Sequence, residues 1–233
     1  AVAAAFASWE YLNMAMPTEN MATRLFSMLL SGMGVSIFLF TSTDIFVYQF
    51  LYLGIFVSFI IQFTKTIPPA EKIHRVAMFA LGLAYVVILF GLMGRLLDNT
   101  LYQFWLFLVI ASTFASDTGG YIFGKNFGKH KLAPKISPGK TIEGVIGGFL
   151  FSMIAAFVVR AIFWPEFSPY ILAAIAMSIT VFGVLGDLCE SLIKRGFNVK
   201  DSGSLIPGHG GILDRVDGLM FTAPFVYFVS EFY

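Results

Sequence analysis

The chain carries one cysteine, Cys189, in 233 residues. No internal disulfide can form, and no cysteine-based metal site exists. Cys189 sits in an apolar segment and reads as a packing residue. Charge is equally scarce. Asp, Glu, Lys and Arg supply 12% of the residues, where soluble domains carry about a quarter. The net charge of +1 gives no global bias toward a partner, and nucleic acid is not expected as one. The first residue is not Met, and no basic n-region of a signal peptide precedes the apolar start. "AVAAAFASWEYLNMAM" instead resembles the tail of a membrane helix, so further residues are expected upstream. Internal repeats, low-complexity tracts and soluble domains are also missing.

What is present is overwhelmingly apolar. Hydrophobic residues make up 58% of the chain, Phe alone contributes 27, and mean hydropathy is +0.81. That balance excludes an ordinary soluble domain and predicts an integral membrane protein. A hydrocarbon core about 30 Å thick takes about 20 apolar residues per helix. Seven segments qualify: 25–40, 45–63, 76–93, 101–116, 142–164, 170–188 and 212–233. With the N-terminal fragment they predict an all-α, polytopic bundle of about eight transmembrane helices. The expected division is an N-terminal scaffold over 1–116 and a catalytic region over 117–233.

Orientation follows from Lys and Arg in the connections. Lys65, Lys72 and Arg75 form one group. Lys125, Lys129, Lys131, Lys135 and Lys140 form a second, and Lys194, Arg195, Lys200 and Arg215 a third. Two spans separate each group from the next, so all three fall on one face, predicted to be cytoplasmic. Arg95 and Arg160 are the outliers.

The ionisable residues concentrate in three places. In "GDLCESLIKR", a helix continuing to Arg195 puts Asp187, Ser191 and Lys194 on one stripe. A carboxylate near the end of an apolar span is costly to desolvate and marks a functional site by default. The competing reading is a solvated helix end with a Glu190–Lys194 pair. In "PGHGGILDRVDG", Asp214 and Asp217 share a helix face and its first turns, where anions are favoured. Gly208, Gly210 and Gly211 allow close backbone approach, and His209 lies between them. Asp187, Asp214 and Asp217 together are expected to hold Mg²⁺, which prefers carboxylates, water and phosphate oxygens. A Gly-rich turn with ordinary helix-start charge is the competing account.

The third place is "SDTGGYIFGKNFGKHKLAPKISPGKTIEG", residues 116–144. Ser137-Pro138 predicts a helix start, with Lys140 and Thr141 in the first turn beside unpaired N–H groups. That is an anion site with an added ammonium and hydroxyl. "GKT" is not a P-loop, because Pro134 stands where the motif needs glycine and no strand is expected before it. Lys125, Lys129 and Lys131 are explained by topology alone. Asp117, expected at a helix end before Gly119-Gly120, is costly and suspect. Carboxylates for a divalent cation and cations for phosphate, at lipid depth, suggest chemistry on a phospholipid headgroup.

"SLIKRGFNVKDSGSLIPGHGGILDRVDG", residues 191–218, resembles the signature of the phosphatidate cytidylyltransferases, or CDP-diacylglycerol synthases. "SDTGGYIFGKNFGK" and "SPGKTIEG" resemble two further family blocks, and Trp9-Glu10 near the start adds to the likeness. Gly139 departs from the pattern, which often has a basic residue there. The resemblance implies that CTP and phosphatidate give CDP-diacylglycerol and pyrophosphate. It implies dependence on Mg²⁺, with a second cation sharing the site, in a homodimer of a bacterial inner membrane. Asp187, Asp214 and Asp217 would hold metal. Lys194, Arg195, Lys200 and Arg215 would neutralise phosphate oxygens. Ser137, Lys140 and Thr141 would form a second phosphate cradle, supported by Glu143 and Asp117. His209 would contact phosphate or orient a carboxylate. The alternatives are a related CTP-dependent lipid enzyme, of the CDP-archaeol synthase or polyprenol kinase type, and a cation transporter.

Overall fold

The computed structural model describes residues 1–41, 45–205 and 210–233. Among these are eight α-helices: α1 (Val2–Ala15), α2 (Met21–Phe40), α3 (Ile45–Phe63), α4 (Pro69–Arg95), α5 (Tyr102–Phe127), α6 (Ile142–Phe163), α7 (Pro169–Gly196) and α8 (Leu213–Ser230). Two short strands, β1 (Lys131–Ala133) and β2 (Ser137–Thr141), pair antiparallel between α5 and α6. Six of the helices, α2 to α7, are long and apolar enough to cross a membrane. The chain is an integral membrane protein of helical architecture.

Local chemistry sets several helix ends. Asn20 caps α2, its Oδ1 accepting from Thr23 N at 2.8 Å. Helices α4 and α7 open on Pro69 and Pro169, where proline's missing N–H costs nothing. The outer faces stay apolar. Phe40, Phe63 and Tyr170 are exposed, and only 22% of the apolar window of α3 is buried within the protein. Such a surface suits hydrocarbon rather than water.

The chain forms two compact units. One comprises Ala1–Gly94 with Phe197–Arg215, the other Arg95–Gly196 with Val216–Tyr233. In the first unit, Ser8 Oγ and Ser27 Oγ meet at 2.8 Å between α1 and α2. An ion cluster joins the buried Glu19 to half-buried Lys65 and Arg75, and Arg75 also binds the exposed Glu71 at 2.6 Å.

In the second unit, α5 and α6 approach closely through small residues, as membrane helices do. A Cβ on Gly147 would stand 2.6 Å from Gly119 O and 2.5 Å from Phe123 Cβ. Hydroxyls tie further helices together: Ser152 Oγ donates to Ala176 O at 3.0 Å, and Thr113 and Thr222 hydroxyls lie 3.1 Å apart. Phe104, Trp105, Trp164, Phe167 and Tyr233 form an aromatic cluster at one end of this unit. Asp117 follows Trp105 by twelve residues on α5, about 18 Å along the axis.

The structure departs from three expectations. Ser137-Pro138 does not start a helix; it opens β2, and α6 begins at Ile142. Thr141 is the cap, its Oγ1 accepting from Gly144 N at 3.0 Å. A strand therefore does precede the GKT helix, although Pro134 still breaks the P-loop pattern. Asp117 is not at a helix end, because α5 continues ten residues beyond it to Phe127. Gly119 and Gly147 explain this: their missing side chains let α6 pack on α5, and that packing supports a helix over glycines that weaken it in isolation.

Candidate active site

A cavity of about 360 Å³ opens in the second unit. Its wall includes Asp117 and Tyr121 from α5, Ser137, Lys140 and Thr141 from the hairpin, and Asp187 from α7. The α5–α6 glycines shape its floor, since Gly120, Gly144 and Gly148 also line it. The hairpin carries the cationic element. Lys140 Nζ lies 2.7 Å from Asp187 Oδ2 and donates to Val184 O at 3.3 Å. Asp187 is oriented from its other oxygen, because Ser191 Oγ donates to Oδ1 at 3.2 Å. The stripe Asp187, Ser191, Lys194 expected on one helix face is present in α7.

Acidic side chains gather around this pair. Asp117, Asp187 and Asp217 are within electrostatic reach of one another, and Lys140 attracts Asp117. Asp217 lies on α8, where its Oδ1 accepts from Gly218 N at 2.7 Å. The helices are close there: a Cβ on Gly186 of α7 would lie 2.6 Å from Asp217 O. Glu190 is buried, with Lys194 Nζ 3.3 Å away. The Glu190–Lys194 pair thus exists, but in the interior rather than at a solvated helix end.

Fully ionised, Asp117, Asp187, Glu190 and Asp217 exceed Lys140 and Lys194 by two negative charges. A divalent cation matches that excess, and hard carboxylate oxygens are the donors Mg²⁺ takes. Among the described residues, no three His, Cys, Asp or Glu side chains are already drawn around a common point. Mg²⁺ does not require that, since it commonly takes one or two carboxylates and completes its shell with water and substrate phosphate.

The remaining predicted residues divide. Glu143 does not line the cavity. Its carboxylate accepts from Lys129 N at 3.1 Å and His130 N at 3.2 Å, and sits 2.6 Å from His130 Nδ1. It anchors the hairpin that carries Ser137, Lys140 and Thr141. Arg195 and Lys200 are exposed, on α7 and the segment after it. Asp214 and Arg215 belong to the first unit. Asp214 Oδ2 accepts from Ser202 N at 2.8 Å, Ser202 Oγ at 2.8 Å and Gly211 N at 2.9 Å. Gly210 adopts φ +80° beside it, a conformation that favours glycine. His209, with Pro207 and Gly208, lies outside the described residues.

Beyond the Trp9-Glu10 likeness, sequence reasoning gave Glu10 no role in the structure. It is buried in α1 and accepts from Ile212 N at 2.9 Å and Leu213 N at 3.1 Å. The available signal was an acid inside an otherwise apolar helix, costly unless paired.

Helical spans and a cavity lined by carboxylates and a lysine define a polytopic membrane protein with a charged intramolecular site. Residues 1–233 match the Cytidylyltransferase family, and the chain belongs to it. It is 50% identical over 129 residues to a phosphatidate cytidylyltransferase of Staphylococcus haemolyticus, covering 54% of this chain and 48% of that protein. It is 48% identical over 129 residues to that of Bacillus subtilis, covering 55% and 46%. With that of Staphylococcus saprophyticus it shares 46% over 149 residues, covering 64% and 56%. The chain spans about half the length of the curated relatives it matches.

Proposed function

We propose that this protein transfers the cytidylyl group of CTP to phosphatidate, making CDP-diacylglycerol and pyrophosphate at the cytoplasmic face of a bacterial inner membrane. The observation that carries this reading is the Lys140–Asp187 pair set in a cavity walled by the apolar helices α5, α6 and α7 and the hairpin. A soluble polyanion and a membrane-bound anion must meet at headgroup depth, and cations there offset their repulsion.

Lys140, Ser137 and Thr141 receive triphosphate oxygens. The Lys140 ammonium attracts the phosphates, and the hydroxyls donate to them. Lys194, Arg195, Lys200 and Arg215 are assigned to the remaining phosphate charge. A phosphatidate phosphate oxygen attacks the α-phosphorus of CTP. The bond to the bridging oxygen between α- and β-phosphorus breaks, and pyrophosphate leaves with the electron pair. The attacking oxygen is already ionised, so no general base is needed. His209 keeps the role of a phosphate contact or carboxylate orienter.

The carboxylate cluster fits Mg²⁺. Asp187, Asp214 and Asp217 are assigned to hold it, with Asp117 nearby. When bound it would neutralise phosphate charge and orient the reacting groups. Asp214 is already oriented by Ser202 and Gly211, the outer-sphere support a ligating carboxylate requires. We assign catalysis to 117–233 and a scaffold role to 1–116, in a homodimer.

CTP incubated with the purified protein and diacyl phosphatidate tests the reading. Formation of a CDP-lipid supports it, and its absence with a properly folded protein rejects it. Metal flux through proteoliposomes without such product would favour the transporter instead.

A further inference from the structure

We infer that Glu10 is a positioning residue: its carboxylate closes the N-terminus of α8 and so holds Asp214, the next residue along, against the Ser202 that orients it. Four observations in the first unit carry this. Glu10 Oε1 accepts from Ile212 N at 2.9 Å and Oε2 from Leu213 N at 3.1 Å. Those N–H groups sit at the start of α8, where no residue of the same helix can accept from them. Capping is normally done by the residue before the helix. Here it comes from a helix some two hundred residues earlier.

Ser202 lies between the two carboxylates. Its hydroxyl lies 2.8 Å from Asp214 Oδ2 and 3.4 Å from Glu10 Oε2, and the Ser202 side chain is buried. One hydroxyl proton serves one acceptor at a time, and the shorter distance favours Asp214. Two glycines make room. A Cβ on Gly203 would stand 2.9 Å from Glu10 Oε1, and one on Gly211 would stand 2.5 Å from Glu10 Oε2. The small residues of this segment are therefore dictated by the acid of α1 together with Ser202, whose Oγ would lie 2.1 Å from a Cβ on Gly211. An anion already occupies the α8 N-terminus, so substrate phosphate is not bound there.

The kinetic part rests on the proposed cytidylyl transfer; the structural part does not. The test uses the full chain with Glu10→Gln, which keeps size but sets an amide NH₂ against a backbone N–H. Expected are faster hydrogen exchange at the Ile212 and Leu213 amides and a kcat lowered about 100-fold, with KM for CTP unchanged. Ser202→Ala is the second variant, in case Glu10→Gln does not fold. It leaves the two Glu10–backbone bonds and the backbone N–H of residue 202 on Asp214 but removes the hydroxyl bond to Asp214, so kcat falls while Ile212 and Leu213 stay protected. The double variant should lose less than the two single losses combined. Unchanged amide exchange in Glu10→Gln, a raised KM at normal kcat, or normal kcat in Ser202→Ala would each overturn the inference. A parent protein that makes no CDP-lipid defeats the proposed reaction alone; amide exchange then decides whether Glu10 holds the segment.

Discussion

Lys140 Nζ stands 2.7 Å from Asp187 Oδ2, joining the hairpin to α7 across the cavity wall. The ammonium is held where an incoming phosphate would compete for it. Lys140→Ala should raise the KM for CTP about tenfold to a hundredfold, because a charge-assisted hydrogen bond contributes about 1.5–3 kcal/mol and ~1.4 kcal/mol is tenfold. Steady-state kinetics at saturating phosphatidate read this out. An unchanged saturation curve would remove Lys140 from the phosphate site.

Asp187 and Asp217 repel each other unless a cation lies near. Asp187→Asn and Asp217→Asn should each lower kcat by about 100-fold or more, the scale of losing one electrostatic contact at a reacting centre. Helical circular dichroism should be retained. Near-normal turnover in either variant would refute the cation role.

The α5–α6 contact depends on missing side chains. Gly147→Ala would force its Cβ against Gly119 O and Phe123. Overpacking of this kind costs about 1–3 kcal/mol. The variant's thermal midpoint in detergent should therefore fall, and an unchanged midpoint would show that the helices part freely.

Glu19 gives a pH dependence outside the spans. Burial would raise its carboxyl, yet hydrogen bonds and charge from Lys65 and Arg75 outweigh burial and hold it below its ordinary value of 4.5. A depressed folded value stabilises the fold above the unfolded pKa, and that stability is lost as pH falls through the folded value. Stability should thus decline on acidification below about pH 4.5, and Glu19→Gln should flatten that part of the curve. Denaturation midpoints across pH check it. An equal slope in parent and variant would contradict it.

Much of this was legible from composition and periodicity. Runs of apolar residues located the helices, and α3 matched its predicted ends at Ile45 and Phe63. The stripe of Asp187, Ser191 and Lys194 followed from helical spacing alone. The failures share a cause: local rules were overridden by packing. Ser-Pro is a helix-start pair, but Thr141 is an equally good cap, and Glu143 bonds to Lys129 and His130 to close a hairpin before it. Gly119-Gly120 suggested a break after Asp117, whereas close approach of α6 keeps α5 running. Glu10 could not be paired with residues 212 and 213 from spacing, since nothing local links them.

Central to the account is which phosphorus reaches the lipid. CTP labelled in the α-phosphate and CTP labelled in the γ-phosphate should be supplied in parallel with phosphatidate and Mg²⁺. The account predicts α-label in the organic phase as CDP-diacylglycerol and γ-label in aqueous pyrophosphate. Lipid carrying the γ-label would mark a kinase, and that result would contradict it.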